Sequence, residues 1–393
     1  MPIKLHWFLP TAGDSRNIAA AGADDHHRPA SFEYLTQVAR AAEENNFHAV
    51  LTPAGTWCED AWIETSALLP RTSRLKFLVA FRPGLASPTL VAQQAATYQR
   101  VSGGRLLVNI VTGGEDLEQR RFGDHLSKDE RYARTDEFLQ IVKGAWSGNP
   151  FNFKGEHYDV VGATVHTPPS PVPEIYFGGA SPAAEGVAAR HSDVYLTWGE
   201  PPAQVRERVE RMREKAAAEG RELRFGIRLH AISRDRAEDA WAETDRLLEA
   251  LDPKVVQTFM DAQRFSQSEG QRRMTELHGG RIDREGLIVS PNLWAGVGLV
   301  RAGAGTALVG SHEEVAERIL EYHEIGFDEF ILSGHPHVEE AYWVGEGVAP
   351  ILRREGVLED PAQAEYAPTA PQRSEGPSYV ARPREPAPVE RNG

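Results

Sequence analysis

Along this chain, short runs of alternating apolar residues repeatedly give way to longer stretches whose apolar positions fall three and four apart, a strand period followed by a helix period. The short runs predict strands over 3–9, 49–53, 75–80, 105–111, 174–179, 193–198, 224–232 and 327–334. Helical spacing fills the intervals at 31–45, 60–69, 88–101, 129–146, 181–191, 201–219, 235–251, 311–325 and 336–354. Helix starts carry their own signals: Ser311 stands three residues before Glu314, as in a capping box, and Ser181 precedes Pro182 at the first helical position. Eight strand–helix repeats predict an α/β chain closed into a (β/α)8 TIM barrel.

Two intervals are too long for plain connections and predict insertions after strands four and seven. The first, 147–173, contains FNFKGEHYDV, the pattern of a small hairpin. The second, 252–305, opens with a polar helical stretch on the barrel face where active sites are built, which makes it a candidate lid. The barrel with its insertions accounts for 1–358; from 359 to 393 the chain turns proline-rich and loses apolar periodicity, the composition of a disordered tail.

Charge and cysteine content narrow the setting. A formal charge of −14 argues against nucleic acid or an anionic membrane as main partner. The single cysteine, Cys58, excludes an intramolecular disulfide, and no signal-length or membrane-length apolar run occurs, so a cytoplasmic location is expected.

In a barrel, the informative side chains are those at the C-terminal strand ends, since they line one mouth. They include Thr11, Thr52, Arg82, Asn109, Thr112, Gly178, Gly179, Ala180, Ser181, Trp198, Glu200, His335 and His337, many of them cations or donors. In RFGIRLHAIS, residues 224–233, Arg228 and His230 share one face of the strand, and a cation there requires an anionic counterpart. FGGASPAA, 177–184, leads from a strand through two glycines to a helix start, which is either a phosphate site or an ordinary tight turn. No Walker A motif is present, and GAGTALVG at 303–310 lacks GxGxxG spacing, so a nicotinamide-dinucleotide fold is not expected. HPH at 335–337 and DDHH at 24–27 raise the question of a metal, but strands five and six end without histidine ligands and no metal is expected. Cys58 is either an active-site thiol or a small buried one.

Together, WFLPTAGD (7–14), WCEDAW (57–62), NIVTGGE (109–115), DERY (129–132), YFGGAS (176–181), YLTWGEPP (195–202), FGIRLH (225–230) and SPNLWAGVGLVRAGAGTALVG (290–310) resemble the two-component alkanesulfonate monooxygenases of the bacterial-luciferase-like flavin enzymes. The resemblance implies that reduced FMN arrives from a separate NAD(P)H-dependent FMN reductase and reacts with O2. The oxidant so formed attacks an alkanesulfonate, giving sulfite, an aldehyde and FMN. It implies active-site roles for Cys58, Arg228, His230 and Arg301, and FMN contacts from Asn109, Thr112, Tyr132, the Gly178–Gly179–Ala180–Ser181 turn and Trp198. A homo-oligomer, a tetramer by the same resemblance, is expected. Two positions depart from the pattern: Ala12 replaces a histidine, and His335 replaces a tyrosine counted among the family's active-site groups. An imidazole is shorter than a phenol and, unperturbed, titrates near pH 6.5, roughly, so His335 is expected to bring a titrating cation to the pocket. The alternative substrates are another small organosulfur compound or an alkane-like one, and a flavin-binding barrel with little catalysis is a third possibility.

Overall fold

A computed structural model describes residues 2–19, 27–263, 266 and 268–360. The proline-rich tail lies outside the described residues from 361 onward, as do Asp24, Asp25 and His26. The chain runs β1 (Lys4–Phe8), α1 (Phe32–Glu44), β2 (Ala49–Thr52), α2 (Ala61–Leu68), β3 (Lys76–Phe81), α3 (Pro88–Ser102), β4 (Leu106–Ile110), α4 (Asp116–Arg121) and α5 (Lys128–Trp146). It continues with β5 (Phe151–Lys154), β6 (Asp159–Ala163), β7 (Ile175–Gly178), α6 (Pro182–His191), β8 (Val194–Trp198), α7 (Pro202–Ala218), β9 (Arg224–Arg234) and α8 (Ala237–Glu249). Then come α9 (Pro253–Gln263), α10 (Glu269–His278), α11 (Arg284–Leu287), β10 (Ile288–Ser290), β11 (Leu293–Trp294), β12 (Ala307–Ser311), α12 (His312–Ile325), β13 (Glu329–Ser333), α13 (His337–Tyr342) and α14 (Ala349–Arg354).

Eight parallel strands, β1, β2, β3, β4, β7, β8, β9 and β13, pair in that order, and β13 pairs back onto β1 to close the (β/α)8 barrel. All eight predicted strands are present, because each is an apolar run buried on both faces. Strand β9 is the longest: its first half pairs with β8 up to Trp198 opposite Arg228, and its second half continues beyond β8 to pair with β12. Strand β12 was not predicted. Its glycine-flanked run is short, and what makes it a strand is the free edge that β9 offers above the barrel. The predicted hairpin in 147–173 is the antiparallel pair β5–β6. The helix predicted over 336–354 is broken into α13, a π-helical stretch at Trp343–Val348 and α14, where Gly345 and Gly347 weaken the α-helix.

Side chains of one strand parity fill the barrel in layers. Phe8, Leu51, Leu78, Leu107, Tyr176 and Ile331 form the apolar middle. Below it, Glu329 is fully buried and accepts hydrogen bonds from His6 Nε2 (2.9 Å) and Tyr176 OH (2.5 Å), while Arg224 pairs with its other oxygen. Above it the same parity places Asn109, Gly178, Trp198, Arg228 and His230 at the mouth. No helix among the described residues is long and apolar enough to cross a membrane.

Candidate active site

Two arginines on β9 meet opposite fates. Arg224, at the base, is paired with Glu329 and Glu174. Arg228, four residues on and facing the same interior, has no carboxylate partner among the described residues, and its Nε is buried without a hydrogen bond. Its guanidinium lies over the Phe8 ring at 4.2 Å, a cation–π contact that fixes its plane above the apolar layer. Burial and the neighbouring Arg301 pull its pKa down to about 10, so it remains charged near neutrality while the site resists that charge. Arg301 follows the 3-10 turn Gly296–Leu299, donates its Nε to the Ile18 carbonyl at 2.9 Å, and likewise has no ion-pair partner among the described residues. Burial lowers its pKa also, with Asp14 opposing. Arg228, buried, without a carboxylate partner among the described residues and repelled by Arg301, defines a site that is stabilised by an anion.

His230 stands differently from its neighbour. Its Nδ1 accepts from Ser333 Oγ at 2.9 Å and its Nε2 donates to the Ala304 carbonyl at 3.2 Å, an arrangement that fits one neutral tautomer. Burial, then His335 and Arg228, hold its pKa well below the usual histidine range. With both nitrogens engaged, it ties β9 to Ser333 on β13 and to the Ala304 carbonyl. His335 stacks on it at 5.5 Å and meets His337 edge-on at 5.0 Å. Burial and Arg301 bring the His335 pKa down to about 3, so the expected titration near neutrality does not arise. The position is enclosed and lies beside Arg301, and these outweigh the opposing pull of Asp14.

Asp14 completes this group, and the sequence reading missed it. Its oxygens accept from Ser15 N (2.8 Å), His337 N (2.7 Å), His337 Nδ1 (2.9 Å) and the Tyr34 hydroxyl. Burial opposes its ionisation, but the facing imidazoles of His337 and His335 hold the carboxyl far below the usual range. Asp14, His335 and His337 offer ligand atoms within 4.8 Å of one another, the spacing of a metal cage. Four donors already occupy the carboxylate and two unpaired arginines stand nearby, so the group reads as a hydrogen-bonded support.

Across the mouth, Tyr132 lies beside the Gly178–Gly179–Ala180–Ser181 turn. Ser181 caps α6 by accepting from Ala184 N at 3.3 Å. Tyr195 OH donates to the Gly179 carbonyl at 2.5 Å. A Cβ built on Gly179 would lie 2.6 Å from Ala184 Cβ and 3.3 Å from Tyr132 OH, so only bare backbone fits. Gly178, Gly179 and Ala180 thus form an open backbone step into the start of a ten-residue helix, with Tyr132 beside it. Asn109 is buried on β4 with its amide toward the interior, and Thr112 lies just beyond the strand. Tyr195 carried no sequence signal beyond its place in a predicted strand.

Other charged mouth residues are spent on structure. Arg82 donates to Glu118 Oε2 on α4 at 2.5 Å, and Glu118 Oε1 in turn accepts from Thr56 N. Glu200 is buried between Arg208 (2.7 Å) on α7 and Arg273 (3.4 Å) on α10. The second bond fastens the 252–305 insertion over the mouth. A Cβ on Gly270 would lie 2.9 Å from the Trp198 ring, Gln271 accepts from Gly303 N at 2.9 Å, and one on Gly114 would lie 3.2 Å from Ser268. Cys58 is half-buried, its Sγ 3.6 Å from the Gly55 carbonyl, and burial pushes the thiol up to about 11, which makes it a protonated donor near neutrality.

The model of a family described as luciferase-like monooxygenase matches residues 3–329. A riboflavin lyase solved with modified FMN and substrate riboflavin superposes with a TM-score of 0.74 at 20% identity, covering 92% of this chain and 93% of that one. An EDTA monooxygenase from Chelativorans sp. BNC1 gives 0.72 at 18% identity, covering 93% and 96%. A long-chain alkane monooxygenase gives 0.71 at 19%, covering 91% and 93%. At these identities the likeness is one of fold.

Proposed function

Since the chain belongs to the luciferase-like monooxygenase family, we propose that it is a flavin-dependent monooxygenase that uses reduced FMN and O2 to cleave the C–S bond of an alkanesulfonate. The products are an aldehyde, sulfite, oxidised FMN and water. One observation carries the choice of an anion: Arg228 is buried at the mouth beside the charge of Arg301, with no carboxylate partner among the described residues. An alkane would leave the Arg228 charge uncompensated.

The bare Gly179 step, the α6 N-terminus and Ser181 suit a phosphate, and Tyr132, Asn109, Thr112 and Trp198 suit the remainder of FMN. Bound there, reduced FMN supplies the activation of dioxygen. Arg228 presents a fixed fork of donors to negatively charged oxygens, and Arg301 adds a second from the far side. His230, locked by Ser333 and Ala304, keeps that strand end in register, and the insertion fastened by Arg273 excludes water. A separate NAD(P)H-dependent FMN reductase supplies the reduced flavin, and the chain assembles as a homo-oligomer.

The decisive experiment combines the purified protein with a flavin reductase, NAD(P)H, O2 and a panel of sulfonates. Sulfite release is the expected result; oxygenated products without sulfite, or flavin oxidation alone, would overturn C–S cleavage. For the cofactor step, Gly179→Val is expected to weaken FMN binding about 10- to 100-fold, the scale of overpacking a tight contact. Fluorescence titration of flavin measures it, and unchanged affinity would move the phosphate away from this turn.

A further inference from the structure

His335 is 6% exposed, yet neither ring nitrogen has a hydrogen-bond partner among the described residues. The ring cannot turn away to find one: it is stacked on His230 and wedged against His337. Asp14 is the nearest carboxylate, but its Oδ1 is 3.6 Å from His335 Nδ1 and its oxygens are already taken by Ser15, His337 and Tyr34. A neutral imidazole carries one N–H and one lone pair. With the N–H on Nδ1 turned toward Asp14, the lone pair on Nε2 is left enclosed and without a donor, a state that a ligand relieves.

The surroundings say what kind of ligand. On one side stand Arg228 and Arg301, with Arg301 the cation that acts most strongly on His335. On the other, a cleft of about 680 Å³ reaches His335 and Pro336 between Arg16, Asn17, Arg234 and Arg246. Along it Arg234 is paired to Glu340 and Arg246 is bonded to Asn17 and Glu243, with Glu249, Glu339, Ala250 and Trp343 completing the lining. A plain alkyl anion brings only acceptor oxygens. They would leave the Nε2 lone pair bare beside an aliphatic chain. An anion that also carries a hydroxyl or amino group would supply the donor that this nitrogen lacks.

We propose that His335 is a specificity-determining residue that selects organic anions bearing a hydroxyl or amino group over their unsubstituted alkyl counterparts. This rests on the reading of the site as an anion site and names the substrate class within it. The test is calorimetric binding to the full chain with excess FMN, comparing 2-hydroxyethanesulfonate with ethanesulfonate. The wild-type protein is expected to favour the hydroxylated anion about tenfold or more, the scale of leaving one enclosed acceptor unpaired. His335→Phe, which removes both polar atoms, should bring the ratio close to unity. His335→Asn, which keeps a donor and an acceptor, should retain part of it. Equal binding by the wild-type protein, a preference that survives in His335→Phe, or no binding of either anion would each overturn the proposal. Sulfite release from the same two compounds tests the reaction separately: a binding preference without sulfite leaves His335 in its role and removes C–S cleavage.

Discussion

Arg228→Ala is expected to lower kcat/KM for sulfite release about 100- to 1000-fold, the usual loss when a preorganised donor aimed at developing charge is removed. The melting temperature should stay level or rise. The sign follows from the pKa: burial and Arg301 bring Arg228 down to about 10 from 12.5, so at neutral pH the folded state carries a charge it disfavours, and deleting it removes that strain. Arg228→Lys, which keeps the charge but loses the planar fork, should fall between the two. Arg301→Ala in the Arg228→Ala background should add less than it does alone, since the two cations act on one anion. Steady-state sulfite assays and thermal melts on the four proteins check this. Near-normal turnover by a folded Arg228→Ala protein would remove the residue from the mechanism.

The importance of Arg228 was visible in the sequence because strand parity alone puts it and His230 on one face. What parity could not show was which charges would remain free. Arg82 looked equally available, yet Glu118, 36 positions away, neutralises it, and Glu200 is claimed by Arg273 from 73 positions away. Such partners come together through the barrel's closure and leave no periodic trace. Asp14 went unread for the same reason: its partners Tyr34 and His337 are 20 and 323 positions distant. The fold was more legible because burial on both faces forces each barrel strand to be apolar throughout, a local signal. Strand β12, which depends on an edge supplied by β9, and the short helix α4, which depends on Arg82 and Arg131 for its docking, had no local signal of comparable strength.

The second large effect is expected at the opposite end of the barrel. Glu329→Ala should destabilise the protein by about 3–5 kcal/mol, because removing one member of a buried ionic network leaves the others undercompensated, Arg224 keeping only Glu174. Here those others are His6, Tyr176 and Arg224, all directed at one carboxylate with no access to solvent. Burial alone would push the Glu329 pKa up, but the hydrogen bond and charge of His6, with Arg224, bring it down to about 2 from 4.5. A carboxylate depressed in the folded state stabilises it at every pH above the unfolded value, and that contribution fades as pH falls from about 4.5 toward 2. Urea denaturation of wild-type and Glu329→Ala proteins should therefore differ most at neutral pH and converge through this acid window. Arg224 and Arg228 make the comparison informative, since they share a strand and a face: loss of the partner at the base should cost stability and spare rate, whereas loss of the unpartnered arginine at the mouth should cost rate and spare stability. A stability difference that holds constant down to pH 2.5, roughly, would show that Glu329 acts by packing and that the charge it carries is incidental.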